Sequence, residues 1–375
     1  MAGIYIHIPF CKKRCTYCDF YTEVAPQLIP SLVDSIVKEL YLRKDYLQNN
    51  SIKTIYFGGG TPSILKKEDF SEIFDTINKI YKVEMNSEIT FEANPDDLTP
   101  DFFKSIESLP FNRISIGIQS FKDDDLKRIN RRHTAAEAIK AVQYAKSAGF
   151  NNISIDLIYG LPFQTLDEWT NQLDVAFSLG IQHISAYGLT YEEGTVLWKQ
   201  RENGELIPVD DETMNEMYLQ LIEKTKANGF EAYEISNFAL PHFRSRHNTS
   251  YWKQESYIGV GPSAHSFDLK SRQWNMASIT GYIKAISENI SFFEREELSL
   301  FDRYNDFILV SLRTSDGLDL SFLEQEFGSE LLNYCIKNLK PFIKDNKIIN
   351  SNGKVTLTTE GIQISNLILM QLMKV

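Results

Sequence analysis

Cysteine is scarce in this chain, with four in 375 residues. Three of them, Cys11, Cys15 and Cys18, fall in one short run, and Cys335 stands alone far downstream. So few thiols in so long a chain exclude the disulfide-stapled framework of small secreted domains. Positive charge is also in deficit. Against 50 Asp and Glu there are 39 Lys and Arg, a net charge of −11. That balance argues against a phosphate-backbone footprint, so nucleic acid is not expected as a partner. No stretch reaches the roughly 18 uninterrupted apolar residues of a membrane span. The opening MAGIYIHIPF has neither the basic start nor the long apolar run of a secretory signal. No low-complexity tract is present, nor any internal repeat beyond a βα unit. The expectation is a soluble protein of a reducing, cytoplasmic compartment. Its length and its 43% hydrophobic content suit one large domain plus a small one.

What is there centres on Tyr5 to Phe20, YIHIPFCKKRCTYCDF. The alternating run before Pro9 reads as a strand, which places the three thiols on the loop at its C-terminal end. The C-x3-C-x2-C spacing can hold three irons of a 4Fe-4S cluster and leave the fourth open, where many iron–sulfur sites use four cysteines. A zinc site is the competing reading. It would need a fourth ligand, His7 or Asp19, and His7 falls inside the strand. Structural free cysteines are the blander alternative.

From residue 3 to about 235, short β-rich runs alternate with helical ones. Strands are predicted over 3–8, 54–58, 88–93, 113–118, 153–159 and 183–189. Two amphipathic helices are predicted over 29–47, with Leu32, Ile36, Leu40 and Leu47 on one face, and 134–149, with Ala138, Val142 and Ala145. Ser31 and Thr134 are the expected N-caps and Gly149 the expected C-cap. Repeated βα units give a parallel sheet whose ligands bind beyond the C-terminal strand ends, in a doubly wound sheet or a partial barrel. That edge carries the unusual residues. They are Gly58-Gly59-Gly60-Thr61-Pro62, Glu92-Ala93-Asn94-Pro95, Gln119-Ser120-Phe121 with Arg128, Arg131 and Arg132 after it, Asp156 to Pro162, and Tyr187 with Thr190. Singly, each reads as a strand-end cap or a solvated face; their recurrence at one edge is the signal.

The cysteine spacing, with Tyr17 before the last thiol, resembles the radical S-adenosylmethionine (SAM) superfamily. There the open iron chelates the amino and carboxylate groups of SAM, and an electron from the cluster splits a C–S bond to give a 5′-deoxyadenosyl radical. YxHIPFCxxxCxYCxF, GGGTP, FEANP, GIQSF, INRRH and DLIYGLP, in this order, resemble more narrowly the oxygen-independent coproporphyrinogen III oxidase-like family and its heme-chaperone branch. The resemblance implies an α/β fold, a partial (β/α)6 TIM-like barrel. It implies that Tyr5 and Tyr17 flank the cluster and SAM, and that Gly59, Gly60 and Thr61 receive the SAM amino group. Glu92, Gln119, Arg131 and Asp156 would bind SAM groups or a second SAM, and Thr190 the adenine side. A side chain at Gly60 is accordingly expected to block SAM and spare the cluster.

Two departures bear on activity. The dehydrogenases of this family carry a fourth cysteine where this chain has Phe20, and a long N-terminal extension for which Cys11 leaves no room. Further on, His247-Asn248-x-x-Tyr251-Trp252 matches the HNxxYW signature of the heme-chaperone branch. An imidazole can ligate heme iron and aromatics can pack on a macrocycle; a core tryptophan with a surface histidine is the bland alternative. GVGPSAHSF after it could close over SAM, and His265 could be only structural. The implied function is a heme chaperone with a 4Fe-4S cluster, SAM and heme as cofactors. Acceptor hemoproteins and an electron donor such as flavodoxin or ferredoxin are its partners, with a homodimer and a peripheral membrane contact left open. The alternative is SAM-radical decarboxylation of coproporphyrinogen III to protoporphyrinogen IX; a zinc-stabilised scaffold is the third reading. The divisions expected are a barrel over 1–235, a connecting region over 236–295 and a C-terminal winged-helix-like domain over 296–375. The last reads helix, Gly317 turn, helix, a third helix over 329–343, and a hairpin at Asn352-Gly353. Its apolar end, ISNLILMQLM, is expected to pack in a core.

Overall fold

The computed structural model describes residues 2–48 and 51–374. Its centre is a run of parallel strands, β1 (Ala2–Ile8), β2 (Ser51–Gly59), β3 (Lys82–Ala93), β4 (Arg113–Gln119), β5 (Ile153–Tyr159) and β6 (His183–Gly188), hydrogen-bonded in sequence order. Helices cross between them, as parallel pairing requires. All six predicted strands are present. The α/β class and the partial barrel stand, with Ile4, Ile6, Ile8, Phe57, Phe91, Ile114, Ile116, Ile153, Ile155 and Ile184 buried under the helices.

The sheet continues on both sides of the six parallel strands. β7 (Glu231–Ala232) and β8 (Asn237–Ala239) extend the sheet beyond β6. β9 (Ser256–Val260) pairs in parallel with β1, followed outward by antiparallel β10 (His265–Phe267), β11 (Ser271–Asn275) and β12 (Phe293–Glu297). These strands are two to five residues long, too short for periodicity to declare them.

Local chemistry explains the helix ends. Thr134 caps the helix Ala135–Ser147 in a capping box with Glu137, and Gly149 follows with φ +91°. Ser31 is not a cap. Pro30 lies in the first turn of the helix Ile29–Leu42, where its missing N–H costs nothing, and Leu28 takes the cap position. The helix ends at Leu42, short of Leu47, because Arg43 turns back. Its Nη1 donates to Glu39 Oε1 and to the Gly259 carbonyl, both at 2.8 Å. Glu39, fully buried, also accepts from Gly261 N, Asn275 Nδ2 and the Tyr282 hydroxyl. The GVGPSAHSF turn is thereby pinned to this first long helix.

The C-terminal unit has its own core of Tyr304, Ile308, Leu312, Leu323, Leu331, Cys335, Leu339 and Val355. It comprises the helix Leu300–Leu312, β13 (Leu318–Asp319), the helix Leu320–Lys344 kinked at Gly328 (φ +83°), and the hairpin β14 (Ile348–Ser351) and β15 (Lys354–Leu357). Asn352 and Gly353 both have positive φ, as a tight two-residue hairpin turn requires. In the last helix, Ser365–Leu372, Ile368, Leu369 and Leu372 are buried while Leu367 and Met370 face outward. Among the described residues no helix is long and apolar enough to cross a membrane.

Candidate functional site

The loops at the C-terminal ends of β1 to β6 enclose a cavity of about 570 Å³. Cys11, Cys15 and Cys18 line it, along with Tyr17, Gly59, Gly60, Thr61, Glu92, Gln119, Arg131, Asp156 and Thr190. One strand end after another supplies these groups, because side chains alternate and each strand stops at the same level. Tyr5 is the exception in the SAM set. It lies inside the barrel beside Tyr56, ring centroids 6.2 Å apart, and its hydroxyl bonds to His7 Nδ1.

Around the thiols the contacts form a continuous ring. Cys11 Sγ is 3.4 Å from Thr61 Oγ1, which accepts from Asn94 Nδ2 at 3.1 Å. Asn94 Oδ1 accepts from Arg131 Nη2 at 2.6 Å, and Arg131 Nη1 reaches Cys15 Sγ at 3.5 Å. Burial pushes the Cys18 thiol up to about 11 and moves Cys11 the same way, so positive iron is the natural counter-charge for their thiolates. The three sulfurs share one cavity, yet among the described residues no three His, Cys, Asp or Glu groups gather closely enough for a single ion. A cubane spreads its ligands over several irons, so the donor set fits a cluster better than a lone zinc. His7 is turned away, its Nε2 3.4 Å from the Tyr21 carbonyl. Cys335 is fully buried in the C-terminal core.

A second lock holds the cysteine loop, and sequence reasoning missed its centre, Asp97. Lys12 Nζ, Ser63 Oγ and Arg132 Nη2 all donate to the Asp97 carboxylate, at 2.6, 2.9 and 3.2 Å, and Arg132 also pairs with Asp96 at 2.7 Å. Three loops thus meet on one buried acid. Asp97→Ala is expected to destabilise the protein by about 1–3 kcal/mol, discounted for the half-exposed Lys12. Denaturant titration of the cluster-free chain measures this; an unchanged midpoint would show that the lock is ornamental.

Gly59 and Gly60 are packed against the chain itself. Gly59 has φ +104°, and a Cβ there would strike the His7 ring at 2.6 Å. At Gly60 a Cβ would meet the Phe10 and Ile8 carbonyl oxygens at 2.6 and 2.8 Å. The space a side chain at Gly60 would need is therefore filled by the root of the cysteine loop, although the Gly60 backbone borders the cavity. Gly60→Val is now expected to lose cluster loading together with SAM binding, read as iron content and calorimetric SAM titration. A variant with full iron and no SAM binding would restore the earlier expectation.

The cavity's electrostatics centre on Glu92, Asp156 and Arg113. Glu92 is pushed up to about 7 by burial, against the opposing bond from the Tyr56 hydroxyl at 2.7 Å. Its other oxygen accepts from Gly59 N at 3.2 Å. Burial also raises Asp156, although Ser115 donates to it at 3.2 Å. Arg113 is 1% exposed, lines the cavity, and leaves its Nε without a partner. Sequence reasoning passed over Arg113 because it opens β4, away from the strand ends; one cationic residue in an otherwise apolar-polar strand pattern was the available sign. If SAM's ammonium or hydroxyl donates to Glu92, SAM affinity rises as pH rises through about 7, where Glu92 ionises.

At the mouth of the cavity, Phe20 is 64% exposed, and Asp19 lies beside it. The GVGPSAHSF turn does not line the cavity; Gly261 packs instead on the His7 carbonyl.

The HNxxYW residues do not come together on one surface. His247 is 1% exposed and plugs the barrel interior from below, on the helix Arg246–Trp252. Its Nδ1 bonds Thr54 Oγ1 and its Nε2 the Tyr251 hydroxyl, each at 2.8 Å. Glu88 fixes the helix by accepting from Arg246 N and His247 N at 3.0 and 2.9 Å. Asn248 faces the cysteine-lined cavity. Trp252 lines another cavity, of about 540 Å³, with Phe267, Phe307 and Phe322 against the C-terminal unit, and its Nε1 is buried without a partner. With both ring nitrogens engaged, His247 does not fit the role of an axial heme ligand in this arrangement.

Comparison with known proteins agrees with this architecture. The family model of the radical SAM superfamily matches residues 5–175, and that of the HemN C-terminal domain residues 298–364. A heme chaperone HemW of Bacillus subtilis is 34% identical over 369 residues, covering 98% of this chain and 97% of the relative. That of Escherichia coli is 36% identical over 267 residues, 70% of this chain and 69% of the relative. Among solved structures, coproporphyrinogen III oxidase (HemN) from Escherichia coli superposes with a TM-score of 0.86 at 21% identity, over 100% of this chain and 90% of that one. The chain therefore belongs to the radical SAM superfamily, within the oxygen-independent coproporphyrinogen III oxidase-like family and its heme chaperone HemW branch.

Proposed function

We propose that this protein is a cytoplasmic heme chaperone that carries a 4Fe-4S cluster on Cys11, Cys15 and Cys18, binds SAM in the adjoining cavity, and passes heme to acceptor hemoproteins. The observation that carries the reading is the three-thiol loop closed by the Thr61–Asn94–Arg131 ring beside a cavity bordered by Glu92 and Asp156. When bound, the cluster supplies an open iron and one electron to SAM. The chain's own residues do the rest. Gly59 and Thr61 border the amino end, Arg131 offers a guanidinium for a carboxylate, and Glu92, Gln119, Asp156 and Thr190 offer acceptors and donors to the nucleoside. Tyr17 closes the apolar side with Ile129, Ile158 and Leu161.

The heme function rests on the chaperone relatives and on the HNxxYW match. Trp252, with its phenylalanine neighbours, is the proposed contact for the macrocycle, and a flavodoxin or ferredoxin the proposed electron donor. The test is transfer. Heme-loaded protein is mixed with an apo-hemoprotein, and the appearance of the acceptor's Soret band is followed against free heme. Trp252→Ala is expected to weaken heme binding about tenfold through lost aromatic packing, with little spectral change. A chain that neither binds heme nor accelerates its arrival would sink the reading.

A further inference from the structure

We propose that His247 is a positioning residue for SAM: it fixes Tyr56, and through Tyr56 the carboxylate of Glu92, and it does not ligate heme iron. The inference rests on the SAM-binding part of the function proposed above.

The geometry is a short chain of directed contacts from the base of the barrel to its cavity. The imidazole lies against the Tyr56 ring, centroids 5.0 Å apart and planes 21° from parallel, with Tyr5 stacked alongside at 6.3 Å. The Tyr56 hydroxyl donates to Glu92 Oε1 at 2.7 Å, and Glu92 Oε2 holds Gly59 N at the turn after β2. Below, Thr54 and Tyr251 fix both imidazole nitrogens, so the ring cannot rotate without losing a bond. Two glycines make room for the stack. A Cβ at Gly58 would meet Tyr56 Cε1 at 2.9 Å, Glu92 Oε1 at 3.1 Å and Tyr5 Cε2 at 3.1 Å; one at Gly3 would meet Thr54 Oγ1 at 2.7 Å and the His247 ring at 3.5 Å. A surface ligand for iron needs none of this packing.

Burial keeps the imidazole neutral, its pKa lowered to about 3, so it acts by shape and hydrogen bonding and adds no charge. The groups facing Glu92 are Tyr56 from β2, Tyr5 from β1, Arg113 from β4, Asp156 from β5 and Tyr251 from the helix Arg246–Trp252. Tyr56 is the donor among them that bonds to the carboxylate directly. A hydrogen bond to an ionised acceptor favours the ionised form. Loosening Tyr56 therefore raises the pH at which Glu92 ionises, and with it the pH at which SAM binds.

The experiment is calorimetric titration of SAM into the anaerobic, cluster-loaded protein across pH 5.5 to 9, with thermal midpoints and heme spectra recorded in parallel. In the wild type, affinity is expected to rise with a midpoint near 7. Tyr56→Phe keeps the ring and loses the donated bond. Its midpoint moves to higher pH, with binding about tenfold weaker at neutral pH and recovering at pH 9. Tyr251→Phe and His247→Gln move it in the same direction by a smaller amount, about threefold. The combination of His247→Gln with Tyr56→Phe adds little to Tyr56→Phe alone. A merely structural histidine would lower the thermal midpoint and leave the pH midpoint in place. Equal pH midpoints in the wild type, Tyr56→Phe and Tyr251→Phe overturn the proposal, even if His247→Gln fails to fold. A heme spectrum that changes in His247→Gln but not in Tyr251→Phe overturns its second half. A wild type that loads the cluster and does not bind SAM removes the SAM reading, and this inference with it.

Discussion

Cys11→Ala, Cys15→Ala and Cys18→Ala are each expected to abolish the about four iron and four sulfide that anaerobic reconstitution loads per chain. The effect is all-or-none for a physical reason. A cubane held by three thiolates keeps one iron open already, and a second open iron leaves it exposed on two corners in a partly solvated loop. Cys335→Ala is expected to leave the cluster untouched. Its sulfur is buried in the C-terminal core beside the Tyr304 hydroxyl, so the cost is local packing and one weak thiol contact, about 1–2 kcal/mol. Iron and sulfide analysis with the charge-transfer absorbance of the cluster reads all four variants. Loss of the cluster in Cys335→Ala, or its survival in any of the other three, would overturn the assignment. Zinc in place of iron in the anaerobically purified protein would favour the scaffold reading.

The second large effect is an absence of turnover. Given coproporphyrinogen III, SAM and reductant, the cluster-loaded protein is expected to form no protoporphyrinogen IX above background. Phe20, with its ring exposed at the cavity mouth, stands where the sequence resemblance implies a further cysteine in the dehydrogenases. The residues proposed to bind SAM, Glu92, Gln119, Arg131 and Asp156, nevertheless all line the cavity. Slow cleavage of SAM to 5′-deoxyadenosine is therefore compatible with the proposal, and porphyrinogen decarboxylation is not. Chromatography of the porphyrins and of the adenosyl products separates the two. Robust decarboxylation would replace the chaperone with the enzyme.

The sequence by itself determined the sheet and the edge where its chemistry sits. Strands that are buried on both faces read as apolar runs, and helices that cover them read with a period near 3.6, so β1 to β6 and the helix Ala135–Ser147 were legible from hydrophobicity and caps. The thiol spacing needed no tertiary information, because ligands within one loop are local. Only the tertiary structure decided what the long-range polar contacts do. Asp97 gathers Lys12, Ser63 and Arg132 from three separate loops, and nothing in its immediate neighbours announces it. Glu39 welds the first long helix to Gly261 and Asn275, more than 200 positions away, and so takes the GVGPSAHSF turn away from the cavity. The same holds for the HNxxYW run. As a string it offers an imidazole and two aromatics to a ligand. In the fold, a helix of seven residues, Arg246–Trp252, turns the imidazole inward to Thr54 and Tyr56 and sends Trp252 toward the C-terminal unit. Hydrophobic period and ligand spacing are properties of neighbours along the chain; which buried polar group finds which partner depends on contacts that exist only once the barrel has closed around them.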